Sequence, residues 1–416
     1  MQLTAEETSW LEGARGPAVA MSMRILVDMG RILGACRLTL IASAHIDGCL
    51  YHGPAGVEFA ERLVAGGGRV VVPTTLNIGS LDLKRPEIAR LEEPARSLAN
   101  RLMMAYLALQ CAPTWTCAPY QAGHRPKLGQ DIAWAESNAV VFANSVLGAR
   151  TNRYGDFLDI AAALTGRAPY YGLHVPEERL ARILITTDSL SPQLKRRDAF
   201  YPVLGAWLGR QVGATVAAID GLPPDTTEDQ LKALGAAAAS SGAVGLFHVI
   251  GVTPEARTRD QAFGGIPPQE VIDFDPAALR RARDALSTSN GDALDVVALG
   301  SPHFSYEEFR RFETLLGERR TRVPVYVCTG RHVTRRMQIE GRLDALIERG
   351  VRIVEDTCVV STPILEGDGG VLMTNSGKFA HYTPANTGYE VVFGTLEDCV
   401  SSAVLGKVVR DERWWL

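Results

Sequence analysis

The chain has 416 residues, 46% hydrophobic and 22% charged, which allows two or three buried cores and excludes a disordered or fibrous chain. A formal charge of −4, with the densest basic run being three residues at 195–197, argues against a nucleic-acid surface. No apolar stretch approaches the ~20 residues needed to span a bilayer, and the N-terminus lacks the basic start and apolar run of a secretory signal, so a cytoplasmic protein is expected.

Residues 37–49, "RLTLIASAHIDGC", and 69–77, "RVVVPTTLN", read as strands running into polar loops. Between them, "AGGG" at 65–68 reads as a turn. The stretch "QCAPTWTCAPYQAG" (110–123) holds prolines at 113 and 119, which exclude a regular helix or central strand. It is therefore a shaped loop carrying two thiols, Cys111 and Cys117, and a thiolate that must reach a metal or a substrate belongs on such a loop. A buried helix is predicted from Asp131 to Gly148, with Ser137, Asn138, Asn144 and Ser145 on one polar stripe and Glu136 beside it.

In the middle of the chain, "GATVAAIDG" and "GAVGLFHVIGV" read as buried strands, and a helix starts at Pro276 behind Asp275 as its cap. The last third is the clearest. A strand at 295–300 leads to a helix opened by a Ser305–Glu308 capping box. A strand at 323–328, a helix at 334–349 and a strand running into a loop at 351–358 follow. That β-α-β-α-β order predicts a parallel, doubly wound sheet. Cys328 and Cys358 fall at the carboxyl ends of consecutive strands, where open α/β sheets hold their ligands, so two thiolates could reach one metal centre. Three lobes are expected, at 1–195, 196–345 and 346–416.

Seven scattered cysteines do not make a disulfide framework, and Cys36 and Cys399 read as small core residues. "SAHIDGCLYHG" (43–53) sets His45 near Asp47, an oriented acid or base, or sets His45 with Cys49 toward zinc, two ligands short of a structural site. "TNSGKFAHY" (374–382) presents a small-residue turn and Lys378 to a carboxylate or phosphate, without P-loop spacing. Arg153 in "TNRYGDF" offers a bidentate carboxylate contact or a surface ion pair.

Together "SAHIDGCLYHG", "TTLNIGSLDL", "TWTCAPYQ", "AWAESNAVVFANSVLGARTNRYGDF", "DTC" and "TNSGKFAHY" resemble the catalytic portion of aconitase X, the compact branch of the aconitase superfamily, over essentially the whole chain. The resemblance implies an aconitase-like α/β fold of multi-lobed, doubly wound parallel sheets around a central cleft. It also implies a hydro-lyase whose iron–sulfur centre is held by Cys117, Cys328 and Cys358, leaving Cys111 a bystander. Three cysteines are compatible with a [4Fe–4S] or [2Fe–2S] cluster or with mononuclear iron. An open iron would bind a small hydroxy-acid substrate. The implied pocket comprises His45, Asp47, Gly48, Cys49, Asn77, Glu136, Ser137, Ser376, Gly377 and Lys378, to which the sequence pattern adds Asn138 and Arg153. His45, Asp47, Glu136 and Lys378 carry the expected proton and charge roles.

The family also needs a small swivelling domain that supplies a serine base. Residues 390–416 read as one strand, one helix and a tail ending in "WWL", so a separate small subunit is expected, with that tail docked on it or on its own domain. The acids Asp47 and Glu136 beside one Lys favour cis-3-hydroxy-L-proline, dehydrated to Δ1-pyrroline-2-carboxylate, over 5-phosphomevalonate. A non-catalytic small-molecule-binding subunit is the alternative of another class.

Overall fold

The computed structural model describes residues 1–367 and 369–415, leaving aside the side chain of Trp414. Its contacts divide the chain into a first unit, Met1–Leu180, and a second, Ala181–Leu416. Among the described residues no helix is long and apolar enough to cross a membrane.

The first unit carries β1 (Leu38–Leu40), β2 (Ala44–Ile46), β3 (Thr74–Leu76), β4 (Ala133–Trp134) and β5 (Arg167–Pro169). Strands β3, β2 and β4 form a parallel sheet with β2 in the middle, and β1 pairs antiparallel with β5. The stretch 37–49 is thus two strands in two sheets rather than one. Between them the chain changes partners: the Ile41 N–H bonds Gly166 O at 3.1 Å and the Ala42 N–H bonds Asp131 O at 2.8 Å. Met23, Leu26 and Val27 of the helix Pro17–Ile32 pack on the apolar helix Leu158–Thr165.

The expected helix from Asp131 is corrected. Residues 133–135 are drawn into the sheet, the Ala133 N–H bonding Ser43 O at 2.9 Å and the Ala135 N–H bonding His45 O at 3.1 Å. The helix begins at Ser137, runs Ser137–Phe142, widens into a π-turn at Ala143–Leu147 and ends at Gly148 with φ +69°. An apolar run suits a buried strand as well as a buried helix, so the pattern alone could not place this boundary.

The second unit carries β6 (Ile183–Thr186), β7 (Ala217–Asp220), β8 (Phe247–Val249), β9 (Glu270–Asp273), β10 (Val296–Phe304), β11 (Val325–Thr329), β12 (Val351–Val354), β13 (Gly370–Thr374) and β14 (Tyr389–Phe393). Two all-parallel sheets result, in the orders β8-β7-β6-β9 and β12-β11-β10-β13-β14. The five-stranded sheet runs across position 345, and its strand order reverses direction at β10, which creates a crevice beyond the β10 and β13 ends. Its buried faces are lined by Val297, Leu299, Val325, Val327, Ile353 and Met373. The caps read from sequence form: Ser305 and Glu308 make a capping box, and Asp275 accepts from the Ala278 N–H ahead of Pro276. The helix expected over 334–349 is two, Arg331–Ile339 and Leu343–Glu348, because Gly341 turns the chain at φ +69°. Cys399 is buried as expected, but Cys36 is exposed, since it sits in the turn that precedes β1.

Candidate functional site

In the second unit the site grows from a bulge in β10. Leu299 pairs with Val327 and Phe304 with Thr329, so Gly300–His303 lie opposite the single residue Cys328. Gly300, at φ +91°, is obligatory there, because a Cβ would stand 2.0 Å from Cys328 O. The extra residues aim Ser301 and His303 at the loop after β12, where Cys358 lies. Since β11 and β12 are parallel neighbours, Cys328 and Cys358 come into contact, and the Cys328 thiol donates to Cys358. Burial, the largest influence, pushes the Cys358 thiol up. The Cys328 contact, the Val360 backbone, Lys378 and the Ser301 hydroxyl together hold it below its ordinary value.

Lys378 opens the helix Gly377–Thr387, whose cap Ser376 accepts from the Phe379 N–H at 3.1 Å and donates to Ser301 O. The N-terminus of that helix and the Lys378 cation both favour an anion. Gly377 answers to packing, since a Cβ there would lie 2.9 Å from Ala237 Cβ and 3.1 Å from Pro202 O. Beside Ser376 and Ser301 a cavity of about 490 Å³ opens, floored by buried Lys232 and bordered by Trp415, whose ring lies 5.6 Å from the Arg283 guanidinium. Of the terminal "WWL", Trp415 is thus packed within the second unit, and Leu416 lies outside the described residues.

The first unit builds a different constellation at the carboxyl end of its three-stranded sheet. His45 is buried and its Nδ1 lies 2.8 Å from Thr75 Oγ1, while Asp47 accepts from Asn77 Nδ2. The two do not form the His–Asp pair the sequence invited; adjacent strands supply each with its own partner. Burial, and then Glu136, Asp156 and Asp159 around it, raise Asp47 from 3.8 to about 7, against the Asn77 hydrogen bond. Burial and then His124 push His45 well below its ordinary value, so the ring is neutral.

The Cys49 thiol is buried and donates to the carbonyls of Ile46, Asn77 and Ile78 at 3.4–3.5 Å, and burial raises it well above the ordinary value. Gly48 is required because a Cβ would stand 2.8 Å from Tyr106 Oη. Glu136 caps the helix through the Ala139 N–H at 2.7 Å, and Ser137 Oγ donates to it at 3.3 Å. Asn138 holds the thiol loop, its Nδ2 donating to Cys117 O at 2.9 Å. Arg153 is exposed on its loop. Of the expected cluster ligands, Cys328 and Cys358 touch within the second unit and Cys117 is buried in the first; among the described residues no trio of His, Cys, Asp or Glu is gathered around one metal position.

Three successive family models match the chain: aconitase X first domain over residues 1–177, second domain over 181–284 and third domain over 294–405. The chain belongs to the aconitase X family. It is similar to a cis-3-hydroxy-L-proline dehydratase of Pseudomonas aeruginosa, 44% identical over 100% of this chain and 72% of that one. It is also similar to a phosphomevalonate dehydratase large subunit of Methanothermobacter thermautotrophicus, 39% identical over 94% of this chain and 96% of that one. Among solved structures it resembles the holo form of Thermococcus kodakaraensis aconitase X, with a TM-score of 0.87 and 34% identity over 97% of this chain and 100% of that one. Its relatives are dehydratases, so the chain is of hydro-lyase type.

Sequence reasoning about this aconitase X chain passed over Ser301, His303 and Asp159. The Gly-Ser-Pro break inside an apolar strand was the available signal for the first two, as glycine and proline mark bulges. Asp159 sits in an otherwise apolar helix, fully buried, and its Oδ2 accepts the Asp47 N–H at 2.7 Å. A carboxylate on the buried face of a helix was its signal.

Proposed function

We propose that this chain is the catalytic large subunit of a dehydratase that converts cis-3-hydroxy-L-proline to Δ1-pyrroline-2-carboxylate. The observation that carries this reading is the 44% identity, across the whole chain, to a protein of that name. The acid-rich surroundings of Asp47 agree with it, because a ring ammonium needs carboxylates and a phosphate ester needs several cations. A separate swivel-domain subunit completes the enzyme. The chain covers 96% of a relative named as a large subunit, which supports that arrangement. Seven cysteines with no disulfide among them in the described residues suit a reducing cytoplasm.

Cys117, Cys328 and Cys358 would hold an iron–sulfur cluster. The fit rests on donor chemistry: soft thiols, two already in contact, with Lys378 nearby to balance thiolate charge. When bound, such a cluster with one open iron supplies Lewis acidity toward the substrate carboxylate and hydroxyl. The chain's own groups do the rest. Lys378 and the N-terminus of its helix hold a carboxylate. Asp47, raised to about 7, can take or return a proton at neutral pH. His45, neutral and buried, serves the leaving hydroxyl through Nε2.

The test is anaerobic co-expression with the small subunit, iron and sulfide analysis, and assay of both dehydrations. Turnover of cis-3-hydroxy-L-proline by a brown protein is expected. Turnover of phosphomevalonate alone would replace the substrate, and a colourless protein that binds an amino acid without turnover would replace the enzyme by a binding subunit.

A further inference from the structure

In the parallel register of the first sheet, Thr75 of β3 and Trp134 of β4 both stand opposite His45 of β2. His45 and Thr75 are the central residues of their three-residue strands, and Trp134 is the last residue of β4. A second histidine joins this row from outside the sheet. After the short helix Pro119–Ala122, Gly123 turns the chain at φ +89°, and His124 folds back so that its Nδ1 lies 2.7 Å from Thr75 Oγ1. The same hydroxyl is 2.8 Å from His45 Nδ1. Both rings pack on Trp134, with centroids 5.7 Å away for His45 and 5.2 Å for His124. The Nε2 atoms of both are buried and make no hydrogen bond within the chain.

A hydroxyl has one proton to give. If Thr75 donates to one Nδ1, the other ring must donate its own Nδ1–H to the Thr75 oxygen. The ring that receives then carries its proton on Nε2, and the ring that gives has a bare Nε2. Two Nδ1–H groups facing Thr75 would strand its proton without an acceptor, which costs a buried hydrogen bond. The tautomers of the two histidines are therefore opposed.

We propose that Thr75 and His124 are positioning residues of His45, and that the three form a neutral, two-ended proton relay for the leaving hydroxyl. This rests on the dehydratase reading above. The proton on His45 Nε2 passes to the leaving oxygen, which departs as water. The Thr75 proton moves to His45 Nδ1, the His124 Nδ1 proton moves to Thr75, and His124 Nε2 takes a proton from water, whose hydroxide is neutralised by the carbon-bound proton that elimination frees. One proton enters, one leaves, and neither ring becomes an imidazolium. That carbon-bound proton reaches the hydroxide along the same path, which restores the first pair of tautomers. The arrangement answers a physical difficulty: burial lowers the basicity of His45, and takes His124 to about 4, so a cationic ring in either place is costly. A relay in which charge never accumulates avoids that cost.

Three variants and one spectrum decide it. Thr75→Val keeps the shape and removes the link; kcat should fall about 100-fold with KM within about 2-fold, and Thr75→Ser should restore it. His124→Asn keeps a donor toward Thr75 but has no second ring nitrogen. The relay requires it to be as slow as Thr75→Val, and wild-type kcat in either variant overturns the proposal. Nitrogen NMR of the purified chain, labelled in its eight histidines, should show two neutral rings of opposite tautomer that lose this pairing in Thr75→Val. Two rings of the same tautomer would refute the coupling. Should the wild-type enzyme dehydrate neither substrate, the dehydratase reading fails and the spectrum still decides the coupled pair.

Discussion

The parallel sheet of β3, β2 and β4 and the five-stranded sheet of the second unit both carry chemistry-bearing side chains in their strands and in the loops that leave them, yet with opposite chemistry. The small sheet buries ionisable and polar groups: His45, Thr75, Asn77 and, from a covering helix, Asp159. The large sheet is apolar up to its ends and then presents two thiols, a hydroxyl and a lysine. The first suits proton handling and the second suits soft-metal and anion binding.

The comparison can be broken most sharply at the thiols. Replacing Cys358 by Ser should remove cluster absorbance and reduce turnover to background, while Cys399→Ala, in the packed core of the same unit, should leave both in place; equal loss in the two would deny Cys358 its special role. A smaller effect is expected at Lys232, itself buried, whose Nζ lies 2.8 Å from Asp229 and 2.5 Å from Glu308, both half-buried. Lys232→Met leaves two carboxylates without their cation and should cost about 3 kcal/mol in denaturant unfolding. That is the low end for a broken buried pair, since the Asp229 and Glu308 side chains keep 30% and 25% of their exposure. An unchanged midpoint would mean the network contributes no stability.

The smallest effect concerns pH. Asp47 and Asp159 both titrate at about 7 in the folded chain against 3.8 as the ordinary value, chiefly because burial disfavours their charged forms. A raised carboxyl contributes stability that is complete below the unfolded value and lost as pH climbs through the folded one, here between about 4 and 7. The melting temperature of the wild type should therefore fall more from about pH 5 to about pH 8 than that of Asp47→Asn. Parallel slopes for the two proteins would remove Asp47 from the group of perturbed acids.

Much of this was legible in the residues themselves. Ser305 with Glu308, and Asp275 ahead of Pro276, fix helix starts through contacts three residues apart, which no distant packing has to supply. The alternation of apolar strands and amphipathic helices likewise settled a parallel sheet, with Cys328 on β11 and Cys358 in the loop that leaves its neighbour β12. Local pattern failed where the deciding hydrogen bonds were long-range. Residues 133–135 became strand because Ser43 and His45 offered carbonyls about 90 residues away.

The sequence by itself determined the caps, the strand-end thiols and the family. Only the tertiary structure decided that His45 answers to Thr75 and His124, that Asp47 answers to Asn77 and Asp159, and that a bulge at Gly300 brings Ser301 to Cys358. The reason is physical: capping and periodicity are short-range properties of a chain, whereas a proton's partner and a carboxyl's desolvation are set by whatever other strands and helices bring within about 3 Å of it.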